Sequence, residues 1–303
     1  MPVETLGQLS INDLTRRLAV GLTLVTGPFR FRVQSRQSGV ARGLATLYAD
    51  FPIEDDCGFR DFHIRVDHVV GPRRWFRPQV NFWLDGNTPF KPLPVNHAFA
   101  LLEWGMNWCI AGHSHHYLLL HAAVLERNGR CVVLPGDPGA GKSTLTAALT
   151  LSGWRLLSDE LTIIDRADGL IVPLARPVSL KNQSIEIIRA FDASAVLGEL
   201  AYDTHKGTVS HLRPPGDSVA RMGEKGRAAH IVFPRWKAGA STRLDTHSKA
   251  DAFMHAANHA FNYSLLGRLG FDLNAGLIDA CDCWDFEYSE LSEALKTFEE
   301  LVT

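Results

Sequence analysis

The chain has 303 residues, of which 46% are hydrophobic and 21% charged, so it can bury a core and is not of disordered composition. Its formal net charge of −2 argues against a general nucleic-acid binder. No apolar run approaches the roughly 20 residues of a membrane span, and the opening residues MPVETLGQLSIND lack the pattern of a signal peptide. The five cysteines have no framework spacing, which is typical of reduced thiols, so we expect a cytoplasmic protein.

The first 115 residues are predicted to form a small α+β domain. Alternating apolar and polar residues predict strands in PFRFRVQ, DFHIRVDHV and QVNFWLDG, the last of which ends in an Asp85-Gly86 turn. Helical periodicity is present in INDLTRRLAV, in SGVARGLATLYAD with Ser38 as a cap, and over residues 96–111. Residues 1–115 carry no catalytic motif, so we interpret them as a docking or oligomerisation domain, which leaves a homo-oligomer as one expectation.

Residues 116–303 open with a strand, a turn and a second strand. The predicted strands are residues 118–125 and 131–134, and Asn128-Gly129 is the hairpin turn between them. The segment VVLPGDPGAGKST follows, and it contains the P-loop pattern Gly-x4-Gly-Lys-Ser. A strand before the pattern and a helix after it, ending near Gly153, are the context in which this pattern binds nucleotides.

The P-loop pattern predicts a site for the polyphosphate of ATP and for Mg²⁺. Its glycines let the backbone turn so that N–H groups point at the phosphates, and the following helix directs its positive end at the same anion. Lys142 is expected to reach the β- and γ-phosphates, and Ser143 to bind Mg²⁺. The predicted nucleotide-binding residues are Gly136, Asp137, Pro138, Gly139, Ala140, Gly141, Lys142, Ser143 and Thr144.

Two neighbouring acidic residues, Asp159 and Glu160, follow the next predicted buried strand. One interpretation is that of an ATPase, in which Asp159 binds Mg²⁺ and Glu160 activates water. Most motor and transporter ATPases place their acidic strand much later in the sequence, so the spacing here is unusual for that class. The residues by themselves leave open a kinase, an ATPase or nucleotide switch, and a nucleotide-binding subunit without catalysis.

Taken in order, these residues resemble the HPr kinase/phosphorylase family, whose core is similar to that of phosphoenolpyruvate carboxykinase. His121 lies fifteen residues before the first P-loop glycine, GDPGAGKS stands where the family reads GDSGxGKS, and Asp159 and Glu160 end the next strand. LARPVSLKNQSIEII, THKGTVSHLRPP and NYSLLGRLGFDLNAGL resemble the subgroup called HPr-kinase-related kinase A. The resemblance to the subgroup covers nearly the whole chain, and that to true HPr kinases covers about residues 117–165.

The resemblance implies an α/β fold for residues 116–303, with a P-loop catalytic domain of the HPr kinase/phosphoenolpyruvate carboxykinase type. It implies a kinase that transfers the γ-phosphoryl group of ATP to a hydroxyl, such as a serine of a small protein or peptide, although a small-molecule acceptor stays open. Asp159 would be the catalytic base, His121 would lie beside it, and Glu160 would join Ser143 at Mg²⁺. The subgroup further implies a small PqqD-like partner.

The chain departs from true HPr kinases in two ways. The family signature Glu-x-Arg-Gly-Leu-Gly is absent downstream of the paired acids, and residues 1–115 do not resemble the HPr kinase N-terminal domain. We therefore do not expect HPr itself as the substrate, nor the reverse, phosphorolytic reaction.

The segment HKGTVSHLRPPGDSVARMGEKGR, residues 205–227, is basic and is interrupted by glycine and proline, which indicates that part of it is a loop. We interpret it as a lid that closes on the transferred phosphoryl group, with Lys206 and Arg213 as catalytic cations and Lys181 as a third candidate. A solvated surface loop is the alternative. The C-terminal residues predict a helix with Phe253, Phe261 and Leu265 in the core, then a strand in CWDFEY and a final helix.

Overall fold

The computed structural model describes residues 4–54, 58–69, 71, 76–137 and 139–303. These residues form two compact units. The first unit contains Met1–Ile110, Ser179–Ile185 and Val196–Arg213, and the second contains Ala111–Val178, Glu186–Ala195 and Pro214–Thr303. Two segments from the second half of the sequence therefore pack with the first unit. No helix among the described residues is both long enough and apolar enough to cross a bilayer.

The strands of the described residues are β1 (Leu22–Thr26), β2 (Phe29–Ser35), β3 (Ile53–Glu54), β4 (Phe62–His68), β5 (Gln79–Leu84), β6 (Leu93–Pro94), β7 (Tyr117–Leu120), β8 (Ala122–Arg127), β9 (Arg130–Pro135), β10 (Arg155–Ser158), β11 (Thr162–Asp165), β12 (Ile171–Val172), β13 (Val178–Lys181), β14 (Ala201–Thr204), β15 (Gly207–Leu212), β16 (Ala228–Trp236), β17 (Arg243–Thr246) and β18 (Asp282–Tyr288). The helices are α1 (Ile11–Val20), α2 (Ser38–Leu47), α3 (Ala98–His113), α4 (Lys142–Leu151), α5 (Gln183–Phe191), α6 (Gly216–Ala220), α7 (Lys249–Asn258), α8 (Tyr263–Leu266), α9 (Arg268–Asp279) and α10 (Leu291–Leu301).

A six-stranded sheet in the order β3-β1-β2-β4-β5-β6 is the centre of the first unit. Strands β2 and β4 pair in parallel, and the other neighbours pair antiparallel. In β2, Phe29, Phe31 and Val33 are buried, as the alternation predicts. Asp85 and Gly86 have φ angles of 48° and 84° and form the predicted turn after β5.

The helices α1, α2 and α3 confirm the predicted periodicity, with one correction at the start of α2. Ser38 is the first residue of the helix, and Gln37 takes the cap position without a capping hydrogen bond from its side chain. The Ser35 hydroxyl accepts a hydrogen bond from the Gln37 amide (3.1 Å), so the chain enters the helix one residue earlier than predicted.

A second six-stranded sheet, in the order β10-β8-β9-β16-β18-β17, is the centre of the second unit. Strands β9, β16 and β18 are parallel neighbours, and the remaining pairs are antiparallel. Successive residues of β8 alternate between two cores. One core includes Leu145 of α4 and Phe298 of α10, and the other includes Ala252 of α7 and Leu277 of α9. The second unit is therefore a mixed α/β structure with helices on both faces of its sheet.

The predicted strand over residues 118–125 is broken at His121, which corrects that prediction. Strand β7 pairs with β11 in a small sheet of order β12-β11-β7, whereas β8 enters the six-stranded sheet. The His121 amide donates a hydrogen bond to the carbonyl oxygen of His259 (2.9 Å), so the break is fixed by a contact with a distant part of the chain. The turn at Asn128 and Gly129, with φ angles of 54° and 75°, is confirmed.

The predicted C-terminal helix is interrupted between α7 and α8. The side-chain amide of Asn262 bonds twice to the backbone of β7, at 3.0 and 2.8 Å, which docks this short connection on the strand. Phe261 and Leu265 are consequently 49% and 69% exposed, so their predicted place in the core is wrong, whereas Phe253 packs against the core. The strand and the helix predicted after them are confirmed as β18 and α10.

Candidate functional site

A glycine loop, residues 136–141, connects strand β9 to helix α4 at the position that the motif predicts. Lys142 and Ser143 are the first two residues of α4, and Thr144 follows in the same turn. Pro138 lies outside the described residues. Because the first backbone N–H groups of a helix have no partner within the helix, and its N-terminus carries positive partial charge, the loop meets a helix end suited to an anion.

Two aromatic residues that sequence reasoning missed hold the glycine loop from β16 and β18. The Trp236 amide donates a hydrogen bond to the Ala140 carbonyl oxygen (3.0 Å), and the Tyr288 hydroxyl donates to the Gly141 carbonyl oxygen (3.2 Å). Burial raises the pKa of Tyr288, so its hydroxyl keeps its proton as a donor at neutral pH. Two hydrogen bonds therefore hold the C-terminal end of the glycine loop against β16 and β18.

Replacing Gly141 by alanine should lower the free energy of unfolding of the second unit by about 2–4 kcal/mol. Gly141 has a φ of 86°, and an added Cβ would lie 2.6 Å from the Tyr288 hydroxyl and 2.8 Å from the Trp236 Cβ. Gly139 is the matched control: its φ is 93°, but no atom lies within 4 Å of an added Cβ, so Gly139→Ala should carry only the backbone strain of about 1–2 kcal/mol. Chemical denaturation of both variants measures the difference, and equal losses would contradict the packing that we describe.

The glycine loop and the acidic residues are joined by one buried hydrogen bond. The Nζ atom of Lys142 donates to the backbone carbonyl oxygen of Asp159 at 2.9 Å, and Lys142 is only 8% exposed. A lysine ammonium buried to this degree needs a hydrogen-bond acceptor, and the backbone just after β10 supplies it. The structure thus brings together two of the predicted site residues that lie seventeen positions apart in the sequence.

His121 and the acidic residues lie where two chain segments cross from the small sheet to the large one. Leu120 pairs with Thr162 on one side of the crossing, and Val124 pairs with Ser158 on the other. Residues 121–123 and 159–161 therefore face each other between the two sheets, and the Thr162 hydroxyl donates to the Ala122 carbonyl oxygen (3.0 Å). The antiparallel pairing places His121 in the segment opposite the one that carries Asp159.

The chain bends at the paired acids instead of continuing as a strand. Strand β10 ends at Ser158, whose hydroxyl accepts a hydrogen bond from the Leu161 amide (3.1 Å). Side chains on successive strand residues point to opposite faces, but a bend removes that constraint. Asp159 is 5% exposed and Glu160 is half-buried, and the Asp159 backbone carbonyl contacts the Lys142 ammonium.

Another residue that sequence reasoning missed, His259, contacts both the glycine loop and the His121 segment. Its Nε2 atom lies 3.4 Å from Asp137 Oδ1, and its carbonyl oxygen accepts the hydrogen bond from the His121 amide. The His255 ring stacks on the His259 ring, with 4.3 Å between centroids. A signal was present in the sequence, because two histidines four residues apart on a helical pattern occupy one helix face.

The predicted lid is part loop, as the glycine and proline residues indicate, and part regular secondary structure. Residues 205–227 include β15 and α6. Arg213 pairs with Asp50 at 2.6 Å, and Lys206 is in the β14–β15 turn with its Nζ 5.8 Å from the Trp104 ring centroid. Lys181 is at the end of β13, where its amide donates to the Ser184 hydroxyl (2.8 Å). These cations belong to the first unit and the glycine loop to the second, so their role at the phosphate stays a prediction.

Other charged residues hold the end of the same segment to the second unit. Arg155, buried at the start of β10, donates to Glu126 and to the carbonyl oxygens of Arg221 and Glu224. Hydrogen bonds from Lys225 lower the pKa of Asp165 and of Asp168. The described end of the segment is thus tied to the unit by ion pairs.

The cysteines of the described residues are free thiols, namely Cys109, Cys131, Cys281 and Cys283, and Cys57 lies outside those residues. Burial raises the pKa of Cys281 to about 12 and raises that of Cys283 as well. Within the described part of the chain, no three His, Cys, Asp or Glu side chains are grouped closely enough to hold a metal ion by themselves.

No family model and no curated protein matches the chain. Among solved structures, the chain is similar to the HPr(Ser) kinase/phosphatase from Coxiella burnetii, with an alignment that covers 60% of this chain and 96% of that one at 12% identity and a TM-score of 0.25. A likeness at that TM-score carries no argument about the chemistry of this chain. The functional interpretation therefore depends on the residues of the site.

Proposed function

We propose that the protein is an ATP-dependent kinase that transfers the γ-phosphoryl group to a hydroxyl acceptor. The observation that carries the proposal is the hydrogen bond from Lys142 Nζ to the Asp159 carbonyl oxygen, because it joins a glycine loop at a helix start to a pair of acidic residues. Phosphoryl transfer needs mainly a cradle for the phosphates, charge neutralisation and a carboxylate that orients the nucleophile. In this proposal the glycine loop, Lys142 and the acidic residues of the second unit supply these three features.

The residues present suit a Mg²⁺ complex of ATP. A Cβ added at Gly139 would project into open space, so the loop leaves room for a ligand against its backbone. Hydroxyl and carboxylate oxygens are ligands that Mg²⁺ prefers, and Ser143 and Glu160 supply them. Mg²⁺ would supply neutralisation of phosphate charge. Lys142 would add the fixed cation on the β- and γ-phosphates.

Asp159 would accept the proton of the acceptor hydroxyl, because a buried carboxylate beside the phosphate site can orient the nucleophile. His121, on the facing segment, would hold that carboxylate in place. Lys206 and Arg213 of the first unit are proposed to stabilise the charge of the transferred group. We propose that the first unit itself docks the acceptor or a second copy of the chain.

The proposal is tested by following the fate of the phosphate. The full chain is incubated with γ-labelled ATP, Mg²⁺ and a fractionated bacterial lysate, and the label is traced in the products. We expect label in a protein, peptide or small molecule, in an acid-stable bond typical of a hydroxyl ester. Label recovered only as inorganic phosphate, at a rate that no fraction changes, would favour an ATPase or nucleotide switch instead.

A further inference from the structure

The second residue of the glycine loop, Asp137, carries a carboxylate next to the proposed phosphate site. Its side chain is 70% exposed and lies 3.4 Å, Oδ1 to Nε2, from the half-buried ring of His259. A negative side chain on a phosphate-binding loop would repel its ligand unless a cation neutralises it. His259 is the group at the right distance to do so.

His259 is stacked on a second histidine, His255. The His255 ring stacks on it nearly in parallel, at an interplanar angle of 17°, and two charged imidazoles at that distance would repel each other. Burial lowers the pKa of His255, and the neighbouring His259 and His247 lower it further, whereas Asp137 acts in the opposite direction. Of the two stacked rings, that of His259 lies against the Asp137 carboxylate, 3.4 Å from Nε2 to Oδ1.

Charged and aromatic side chains from the neighbouring elements surround the His255 and His259 rings. Asp137 faces it from the glycine loop and His247 from the end of β17, and His247 Nδ1 lies 3.0 Å from Asp285 Oδ2 on β18. The Phe233 ring of β16 covers His255 at 4.8 Å between centroids. Asp285 has its own partner in His247, so Asp137 is the carboxylate left to His259.

We propose that His259 is a positioning residue whose protonation sets the affinity of the glycine loop for polyphosphate. Protonated His259 neutralises Asp137 and holds the first turn of the loop, and its loss of the proton leaves the carboxylate to repel the phosphates. Nucleotide affinity should therefore be highest at low pH and should fall as pH rises through the range in which histidine titrates. This inference rests on the proposed function, since it concerns the same nucleotide site.

The test compares dissociation constants of Mg·ADP for the wild type and for His259→Gln at about pH 6 and about pH 8.5, which bracket histidine titration. The variant keeps a hydrogen-bond donor without the charge. We expect it to bind about three- to tenfold more weakly than the wild type at the lower pH and equally at the higher pH. The result is expressed as the ratio of the variant's dissociation constant to that of the wild type at the same pH. The ionisation of the nucleotide is common to both proteins and cancels in this ratio. His63→Gln, an exposed histidine on β4, is the matched control and should leave the ratio near unity at both pH values.

Asp137→Asn tests the same pair without altering the histidine. It should bind Mg·ADP more tightly than the wild type at the higher pH, because the carboxylate that deprotonated His259 no longer neutralises is gone. A ratio for His259→Gln that does not change with pH, or an Asp137→Asn variant that binds no more tightly at the higher pH, would overturn the positioning role while leaving the kinase proposal intact. Absence of wild-type nucleotide binding at both pH values would overturn both.

Discussion

Lys142→Ala should weaken binding of Mg·ATP by about 10- to 100-fold and stop turnover, because a hydrogen bond to a charged group contributes about 1.5–3 kcal/mol. Lys142 is almost fully buried, and its Nζ is hydrogen-bonded to the Asp159 carbonyl oxygen. Alanine removes the cation that would face the β- and γ-phosphates. Calorimetric titration with Mg·ATP measures the affinity, and a coupled assay measures turnover.

Lys296→Ala is the matched control for this prediction. Lys296 lies on α10 in the same unit, with a side chain 79% exposed, and its nearest carboxylate partner is 3.9 Å away. Its loss should change neither affinity nor turnover. Unchanged affinity and unchanged turnover in Lys142→Ala, with the fold verified by circular dichroism, would disprove the assignment of the glycine loop as the nucleotide site.

Asp159→Asn should lose phosphoryl transfer by a factor of about 10² to 10⁴, the typical contribution of a general base, while keeping most of the affinity for ATP. The substitution preserves the shape of a side chain that is 5% exposed, so the effect reports the carboxylate and not the packing. Single-turnover rates with saturating Mg·ATP measure the transfer step directly.

Glu160→Gln is the comparison that separates a kinase from an ATPase. If Asp159 is the base, Glu160→Gln should change the dependence of transfer on Mg²⁺ concentration. Asp159→Asn should then bind the metal about as tightly as the wild type. An ATPase would show the reverse division, in which Asp159→Asn weakens metal binding and Glu160→Gln traps bound ATP. Transfer by Asp159→Asn at the wild-type rate would show that another residue is the base.

Local sequence patterns predicted the elements that local physics determines. The alternation in PFRFRVQ predicts that Phe29 and Phe31 of β2 are buried, as they are. Asn128 and Gly129 adopt the positive φ angles that a tight hairpin turn requires. The glycine loop lies between a strand and a helix for the same reason, since Gly139 and Gly141 both adopt positive φ. The paired acids at the end of β10 were also found from the sequence.

Features set by distant partners were not predictable in the same way. The run over residues 118–125, apolar apart from His121, predicts one strand, because its break depends on a hydrogen bond to the distant His259. Phe261 was expected in the core on helical periodicity, but Asn262 docks the connection on β7 and turns that side chain outward. Arg213 could not be paired with Asp50 from the sequence, because they are far apart in the chain.

The most direct test of the central claim is a crystal structure of the chain with Mg²⁺ and a non-hydrolysable ATP analogue. We predict β- and γ-phosphates against the backbone of residues 136–143, and Lys142 Nζ moved from the Asp159 carbonyl oxygen to these phosphates. The Asp159 carboxylate should lie beyond the γ-phosphate, within hydrogen-bond reach of an acceptor hydroxyl or one water away. A nucleotide bound elsewhere, or an Asp159 carboxylate directed away from the γ-phosphate, would contradict the account.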